Sequence, residues 1–135
     1  MYRFNLKPIK SIYSPKAENM IDRYDVEIFL NDFKFKLDYF GILFRDDRSK
    51  NTLTLSELGI ISNNRKTILK DLQVEEYSEG PITEALYGNA DMWIFGKVVK
   101  GREIYIKISM GKPNKETICI SFHLAEFPIS FPFTN

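Results

Sequence analysis

Apolar and polar side chains alternate in two segments near the carboxyl end, 102–110 and 117–124, and this alternation constrains the fold more than any other feature. A period of two residues is typical of a strand that buries one face and exposes the other. The apolar positions are Ile104, Ile106, Ile108, Ile118, Ile120, Phe122 and Leu124. The alternation therefore predicts two half-buried strands with a second face that is available for function.

The five residues between these segments, 111–115, include glycine, proline and asparagine, which favour a turn. The two strands are therefore expected to pair as an antiparallel hairpin. A turn centred near Pro113 predicts that residue 105 lies opposite 121 and residue 107 opposite 119, with His123 diagonal to Tyr105.

A third strand, 93–97, is expected on the other side of 102–110, because Lys100-Gly101 suits a two-residue turn. This pairing directs Trp93 and Phe95 to the core. It leaves Ile94 and Gly96 beside Tyr105 and Lys107 on the other face.

The rest of the chain predicts helices and short connections. Residues 17–40 have the apolar spacing of an amphipathic helix that stops at Gly41, although period-two alternation over 33–37 competes with it. The further predictions are a strand over 41–45, a helical turn over 54–58, a helix over 64–72, one more turn over 74–77 before Gly80-Pro81, and a loop over 82–90. The tail after Ala125, rich in phenylalanine and proline, is expected to be extended and to lie across the apolar side or an edge of the sheet.

Together these elements predict an α+β fold, with two or three helices packed on one face of a mainly antiparallel, twisted sheet. Residues 1–17 are expected to form an arm or a short strand, and 18–135 a single domain. The one cysteine, Cys119, excludes an internal disulfide and a cysteine zinc site. The sequence has no membrane-spanning run and no secretion signal, so the protein is expected to be cytoplasmic. The formal net charge of +1 predicts that any nucleic-acid site is local.

Tyr105, Lys107 and His123 share the predicted working face, and their chemistry suits a phosphodiester. Cleavage of RNA by its own 2′-hydroxyl needs a base, an acid and positive charge near the phosphate. Imidazole, phenol and ammonium groups supply these functions without a metal or cofactor. The competing interpretation is that the three are ordinary exposed polar residues. Cys119 lies about 13 Å along the strand from His123, too far for a thiolate pair, and is expected to be a small half-buried apolar residue.

Five cations are candidates for binding the RNA backbone: Arg45, Arg48, Lys50, Lys97 and Arg102. The first three belong to a charged loop, 45–51, and guanidinium groups match phosphate oxygens in two-pronged geometry. The alternative is that Asp46 and Asp47 neutralise the loop in weak surface ion pairs.

Several runs resemble the MqsR family of bacterial toxins: Leu58-Gly59-Ile60, Leu72 to Tyr77, Met92-Trp93, Gly101 to Ile108, and Ile118 to Phe122. The resemblance covers roughly residues 20–126 and is strongest over 91–124. It implies a RelE-like fold and a metal-independent ribonuclease that acts on messenger RNA as the toxin of a type II toxin–antitoxin system.

Carried over by position, Tyr105 matches the family's catalytic tyrosine and Lys107 its neighbouring strand lysine. His123 stands where a catalytic lysine follows the Ser-Phe pair. Two positions depart from the pattern, since Ile94 replaces an active-site glutamine and Glu79 replaces a lysine. An apolar side chain cannot donate to phosphate, and a carboxylate repels it.

The function expected from these observations is a toxin-type endoribonuclease, an mRNA interferase, with Tyr105, Lys107 and His123 as catalytic residues. The expected partners are single-stranded mRNA and a cognate antitoxin, with the ribosome as a further candidate and no role for a membrane or for double-stranded DNA. The alternative is a non-catalytic protein-interaction module that keeps the same sheet.

Overall fold

A computed structural model describes residues 20–83 and 91–134 of the chain. The described elements are α1 (Arg23–Phe40), β1 (Ile42–Phe44), α2 (Ser49–Leu58), α3 (Asn64–Lys70), a 3-10 helix (Val74–Glu76), β2 (Tyr77–Thr83), β3 (Asp91–Val99), β4 (Arg102–Ser109) and β5 (Thr117–Leu124). The strands form one sheet in the order β1-β5-β4-β3-β2. Only the β1–β5 pair is parallel, so the predicted α+β class with a mainly antiparallel sheet is confirmed. No helix in the described residues is long and apolar enough to cross a membrane.

Helix α1 begins six residues later than the predicted residue 17, because Asp22 caps it. The Asp22 side chain accepts from the Asp25 N–H, and the Asp25 side chain accepts from the Asp22 N–H. Residues 20–22 are not helical, and 17–19 lie outside the described residues. The competing strand over 33–37 does not form, and the helix ends at Gly41 as predicted.

The core lies between one face of the sheet and the helices. Its members come from α1, the ends of α2 and α3, and the central strands: Val26, Phe29, Leu30, Phe33, Leu37, Leu58, Leu69, Leu72, Tyr77, Phe95, Ile104, Ile106, Ile108, Cys119 and Phe122. Phe29 stacks on Trp93 with ring centroids 4.3 Å apart. The predicted core faces of β3 and β4 are confirmed.

The β4–β5 register differs by two residues from the prediction. Tyr105 pairs with His123 and Lys107 with Ser121, whereas Ile108 pairs with Cys119. The register shifts by one residue because the loop between Ser109 and Thr117 is not centred on Pro113. It shifts by a second residue because Ile120 forms a bulge in β5. The prediction that Cys119 shares the working face with His123 was therefore wrong, since Cys119 belongs to the core.

Helix α2 holds the bulge in place. Beyond the three residues paired with β1, the edge of β5 receives side chains of α2 instead of a strand. The buried Asn51 donates to Ile120 O and accepts from Phe122 N–H, each at 3.0 Å, and Thr54 Oγ1 accepts from Leu124 N–H at 3.0 Å. The helix therefore starts at Ser49, inside the predicted charged loop and before the predicted start at residue 54.

Strand β2 was not predicted, because Gly80-Pro81 indicated a break. A sheet edge tolerates proline, since one side of the strand needs no ladder hydrogen bonds. Gly80 has φ +116°, and a Cβ there would lie 2.7 Å from Met92 O, so the close approach of β3 requires glycine. Helix α3 ends two residues earlier than predicted. The predicted loop over 82–90 was wrong for residues 82–83, which belong to β2, and the rest of that loop lies outside the described residues, as does the arm predicted over 1–17.

The tail after β5 crosses the face opposite the helices. Ile129 and Phe131 lie over Gly96, so close that a Cβ on this glycine would be 2.8 and 2.7 Å from their side-chain carbons. Phe133 reaches the core edge, where it stacks on Tyr77 at 5.5 Å. The tail is not extended throughout, since it bends at Glu126–Phe127 and turns at Pro132–Phe133, and it packs on the working face as well as on the apolar side.

Candidate active site

A cleft of about 450 Å³ opens on the sheet face that the helices do not cover. Strands β4 and β5 form its floor, Arg48 reaches it from the residue before α2, β2 forms one side, and the tail forms another. Its lining residues are Arg48, Ser78, Glu79, Tyr105, Lys107, Ser121, His123, Glu126, Phe127, Pro128, Ile129 and Ser130. The three residues predicted as catalytic therefore line one cleft.

His123 is held in one orientation by two contacts. Its Nδ1 lies 3.0 Å from Leu124 O, and its ring stacks on Tyr105 with centroids 5.2 Å apart and planes at 23°. A carbonyl oxygen only accepts, so Nδ1 carries a proton and donates to it. Nε2 is consequently the ring nitrogen that exchanges a proton with a ligand.

Tyr105 lies between His123 and Gly96 in the sheet. Burial of the ring and the nearby Glu79 carboxylate raise the pKa of the Tyr105 phenol, and Arg48 opposes the rise. Because an unperturbed tyrosine already titrates near pH 10, the phenol stays protonated at neutral pH. Tyr105 can therefore donate a hydrogen bond but cannot act as a base.

Two cations face the cleft. The Lys107 ammonium lies 6.0 Å from the Tyr105 ring centroid, and within residues 20–83 and 91–134 no carboxylate pairs with it. Arg48 precedes α2, and its Nη1 lies 3.3 Å from Ser121 Oγ and 3.4 Å from Ile120 O. These long hydrogen bonds direct the guanidinium to the β5 bulge and leave donors for an anionic ligand.

The other predicted RNA-binding cations are not in the cleft. Arg45 forms a two-pronged pair with Asp47, as the alternative interpretation of the loop expects. Asp46 instead pairs with the buried Arg65 of α3 at 2.8 and 2.9 Å. The Arg65 hydrogen bonds lower the pKa of Asp46.

Lys50, Lys97 and Arg102 have three different surroundings. Lys50 pairs with Glu126 at 2.8 Å on the cleft margin. Lys97 points to the helix-covered side, where Asp71 and Glu76 hold it. The structure therefore separates Lys97 from the cleft by the sheet. Arg102 lies in a second, shallower depression on the far side of the tail.

The sequence did not predict Glu126 as a site residue, and it identified Glu79 only as a departure from the family pattern, not as part of the cleft. Glu79 lies on the unpredicted strand β2 and pairs with Ile94, which in turn pairs with Lys107. Glu126 belongs to the tail. Had β2 been recognised, its pairing with β3 would have placed Glu79 near Tyr105. Ile94 is buried beneath this face and contributes shape rather than hydrogen bonds.

The Cys119 thiol is outside the cleft. Cys119 is fully buried in the core, and burial raises the pKa of its thiol to about 12. Across residues 20–83 and 91–134, no three His, Cys, Asp or Glu side chains converge as ligands of one metal ion.

No protein-family model matches the chain, and no curated protein or solved structure is significantly similar to it.

Proposed function

We propose that the chain is the toxin of a type II toxin–antitoxin system and cleaves messenger RNA as a metal-independent endoribonuclease. The observation that carries the proposal is one cleft in which an oriented imidazole, a protonated phenol and two cations meet. The resemblance of the strand segments to the MqsR toxins supports the same reaction.

The cations suit the charge that develops at phosphorus. Attack of the 2′-hydroxyl on the adjacent phosphate gives a pentacoordinate species with additional negative charge on its non-bridging oxygens. In this proposal Lys107 and Arg48 stabilise these oxygens, and Tyr105 donates a hydrogen bond to one of them. Removal of one such donor typically lowers the rate about 10²–10³-fold.

Two proton transfers accompany the attack, and the cleft offers a group for each. His123 Nε2 protonates the leaving 5′-oxygen. Glu79 accepts the 2′-hydroxyl proton, because Tyr105 stays protonated and Glu126 already pairs with Lys50. The 2′-oxygen forms a bond to phosphorus as the P–O5′ bond breaks, so the products are a 2′,3′-cyclic phosphate and a 5′-hydroxyl.

The substrate in this proposal is single-stranded RNA in the cytoplasm, because a duplex does not splay its bases into a cleft of this size. The antitoxin acts by covering the same cleft. The ribosome is a further candidate partner, since it presents messenger RNA in single-stranded form.

Cleavage of a defined single-stranded RNA by purified variants tests the proposal. His123→Gln removes the positioned acid, which contributes about 10²–10⁴-fold in rate, and Tyr105→Phe removes the hydrogen-bond donor to the phosphate, which contributes about 10²–10³-fold. Tyr39→Phe, on the exposed side of α1, is the matched control. Large losses in the first two variants, with unchanged cleavage in the control and unchanged thermal unfolding in all three, support the proposal. Wild-type protein that leaves the RNA intact, or cleavage that is indifferent to both changes, contradicts it.

The second candidate function is a protein-interaction module, and one observation favours it. Phe35 and Tyr39 of α1 are each 73% exposed and stack on each other at 6.3 Å, on the side of the sheet away from the cleft. Exposed aromatic groups of this kind mark many protein interfaces. The protein-interaction function is supported if RNA stays intact while Phe35→Ala and Tyr39→Ala abolish association with a protein partner.

A further inference from the structure

The tail segment 126–128 separates two depressions of the surface. One is the cleft described above. The other, of about 410 Å³, is lined by Arg102, Glu103, Leu124 and Ala125 together with Glu126, Phe127 and Pro128. Phe127 therefore forms the ridge between them.

The described contacts hold this ridge in place on both sides. On its amino-terminal side, Ala125 N–H donates to Glu103 O at 2.9 Å, and Glu126 pairs with Lys50. On its carboxyl-terminal side, Ile129 and Phe131 pack on Gly96. The Phe127 ring is nevertheless 79% exposed, more than any other large apolar side chain of the described residues. A fixed backbone that presents an exposed aromatic ring loses little conformational entropy when a flat ligand stacks on it.

The smaller depression carries a cation that forms no ion pair within residues 20–83 and 91–134. Arg102 is exposed at the start of β4. Of the two carboxylates that share this depression, Glu126 is neutralised by Lys50, which leaves Glu103 as the one acidic neighbour. Guanidinium groups bind phosphate in two-pronged geometry, and base stacking on aromatic rings accepts any nucleobase.

We propose that Phe127 and Arg102 form a nucleotide subsite next to the cleft, in which an unpaired base stacks on the Phe127 ring and its phosphate pairs with Arg102. The inference rests on the proposed function in one respect, namely that the adjoining nucleotide carries the phosphate bound by Lys107 and Arg48. The RNA strand then crosses the tail from one depression to the other, and the subsite selects RNA that is unpaired on both sides of the cleaved bond.

Binding of a 2′-O-methyl RNA octamer tests the subsite, because this probe cannot be cleaved. Phe127→Ala should weaken binding about 5- to 150-fold, which is the range measured for stacking of one base. Phe127→Trp should retain binding, and its fluorescence should be quenched by the octamer. Phe35→Ala is the matched control, since Phe35 is also exposed but lies on α1.

Octamers with one abasic nucleotide, placed at each position in turn, identify the stacked base. At one position the loss of the base should weaken wild-type binding as much as Phe127→Ala does, and it should weaken the Phe127→Ala variant no further. Arg102→Gln should lower the slope of log K against log salt by about 0.7, the value for one phosphate contact on a single strand, and Lys66→Gln on α3 should not.

Binding by Phe127→Ala within twofold of wild type, or an abasic series with no sensitive position, overturns the subsite. These results are distinguishable from failure of the proposed function. A wild-type protein that binds the octamer through Phe127 but leaves unmodified RNA intact keeps the subsite and rejects the ribonuclease. A wild-type protein that cleaves RNA while Phe127→Ala binds normally rejects the subsite alone.

Discussion

Replacement of Asn51 by alanine should both destabilise the protein and disturb the cleft, because this one side chain holds the β5 bulge. Asn51 is 1% exposed and forms three hydrogen bonds of 3.0 Å with backbone groups. Two of them involve the buried Ile120 O and Phe122 N–H, and the third involves Arg45 O. The bulge in turn returns Ser121 and His123 to the working face after Cys119 has faced the core.

The magnitude follows from the backbone groups that lose their partners. An unsatisfied buried donor or acceptor costs about 1–3 kcal/mol. Ile120 O keeps a long hydrogen bond from the Arg48 side chain, and Arg45 O keeps one from the Arg48 backbone N–H at 3.1 Å, so Phe122 N–H bears most of the cost. Asn51→Ala should therefore lower the free energy of unfolding by about 3 kcal/mol. This value is the upper end of the range for one unsatisfied group, because Ile120 O adds a smaller cost to that of Phe122 N–H.

Urea unfolding followed by circular dichroism measures this change, and Thr52→Ala is the control, since Thr52 is the exposed neighbour on the same helix. Asn51→Asp is informative as well, because it keeps the acceptor for Phe122 N–H but turns a second carboxylate oxygen towards Ile120 O and Arg45 O, two acceptors. At neutral pH it should be destabilised at least as much as Asn51→Ala, since it also buries a charge. A loss below 1 kcal/mol for Asn51→Ala would refute the reasoning that α2 fixes the bulge.

Three further predictions concern the tail, the cysteine and the buried ion pair. Gly96→Ala should displace Phe131 and lower the free energy of unfolding by about 1–3 kcal/mol, as overpacking does; unchanged urea stability contradicts this. Cys119, with its thiol pKa near 12, should react with a disulfide reagent at pH 8 only as fast as the protein unfolds; immediate labelling contradicts its burial. Asp46→Asn should cost about 2 kcal/mol at pH 7, less than a fully buried pair because the carboxylate is 41% exposed. Because Arg65 lowers the folded-state pKa of Asp46, this difference from wild type should persist above the unfolded pKa near 4 and disappear as pH falls through the folded value; a constant difference down to pH 2 contradicts it.

The sequence predicted β4 and α1 because each buries one face and therefore shows its period directly. Strand β5 alternates in sequence as well, although six of its eight residues are buried, Ser121 and His123 among them. Strand β3 was predicted from the turn that joins it to β4. The turn at Lys100-Gly101 was also predicted. Both residues adopt positive φ, as a type I′ hairpin turn requires. Strand β2 escaped notice because edge strands need neither strong alternation nor a free N–H at every residue.

The β4–β5 register was not readable, because its cause is tertiary. The bulge depends on Asn51, a residue some seventy positions away in sequence. A register predicted only from a turn centred on Pro113 therefore omits the bulge. The same limit applies to the cleft. The strands placed Tyr105, Lys107 and His123 on one face, but Arg48, Glu79 and the tail reach that face only through α2, the missed β2 and packing on Gly96.

The chemical nature of the ends left by cleavage tests the central claim most directly. A defined single-stranded RNA is incubated with the wild-type protein and with His123→Gln, with and without a chelator, and the 3′ ends are analysed. The cleft predicts 2′,3′-cyclic phosphate ends from the wild-type protein in both conditions, a rate lower by about 10²–10⁴-fold in the variant, and no cleavage where the 2′-hydroxyl is methylated. Ends with a 3′-hydroxyl, or cleavage that the chelator abolishes, contradict it.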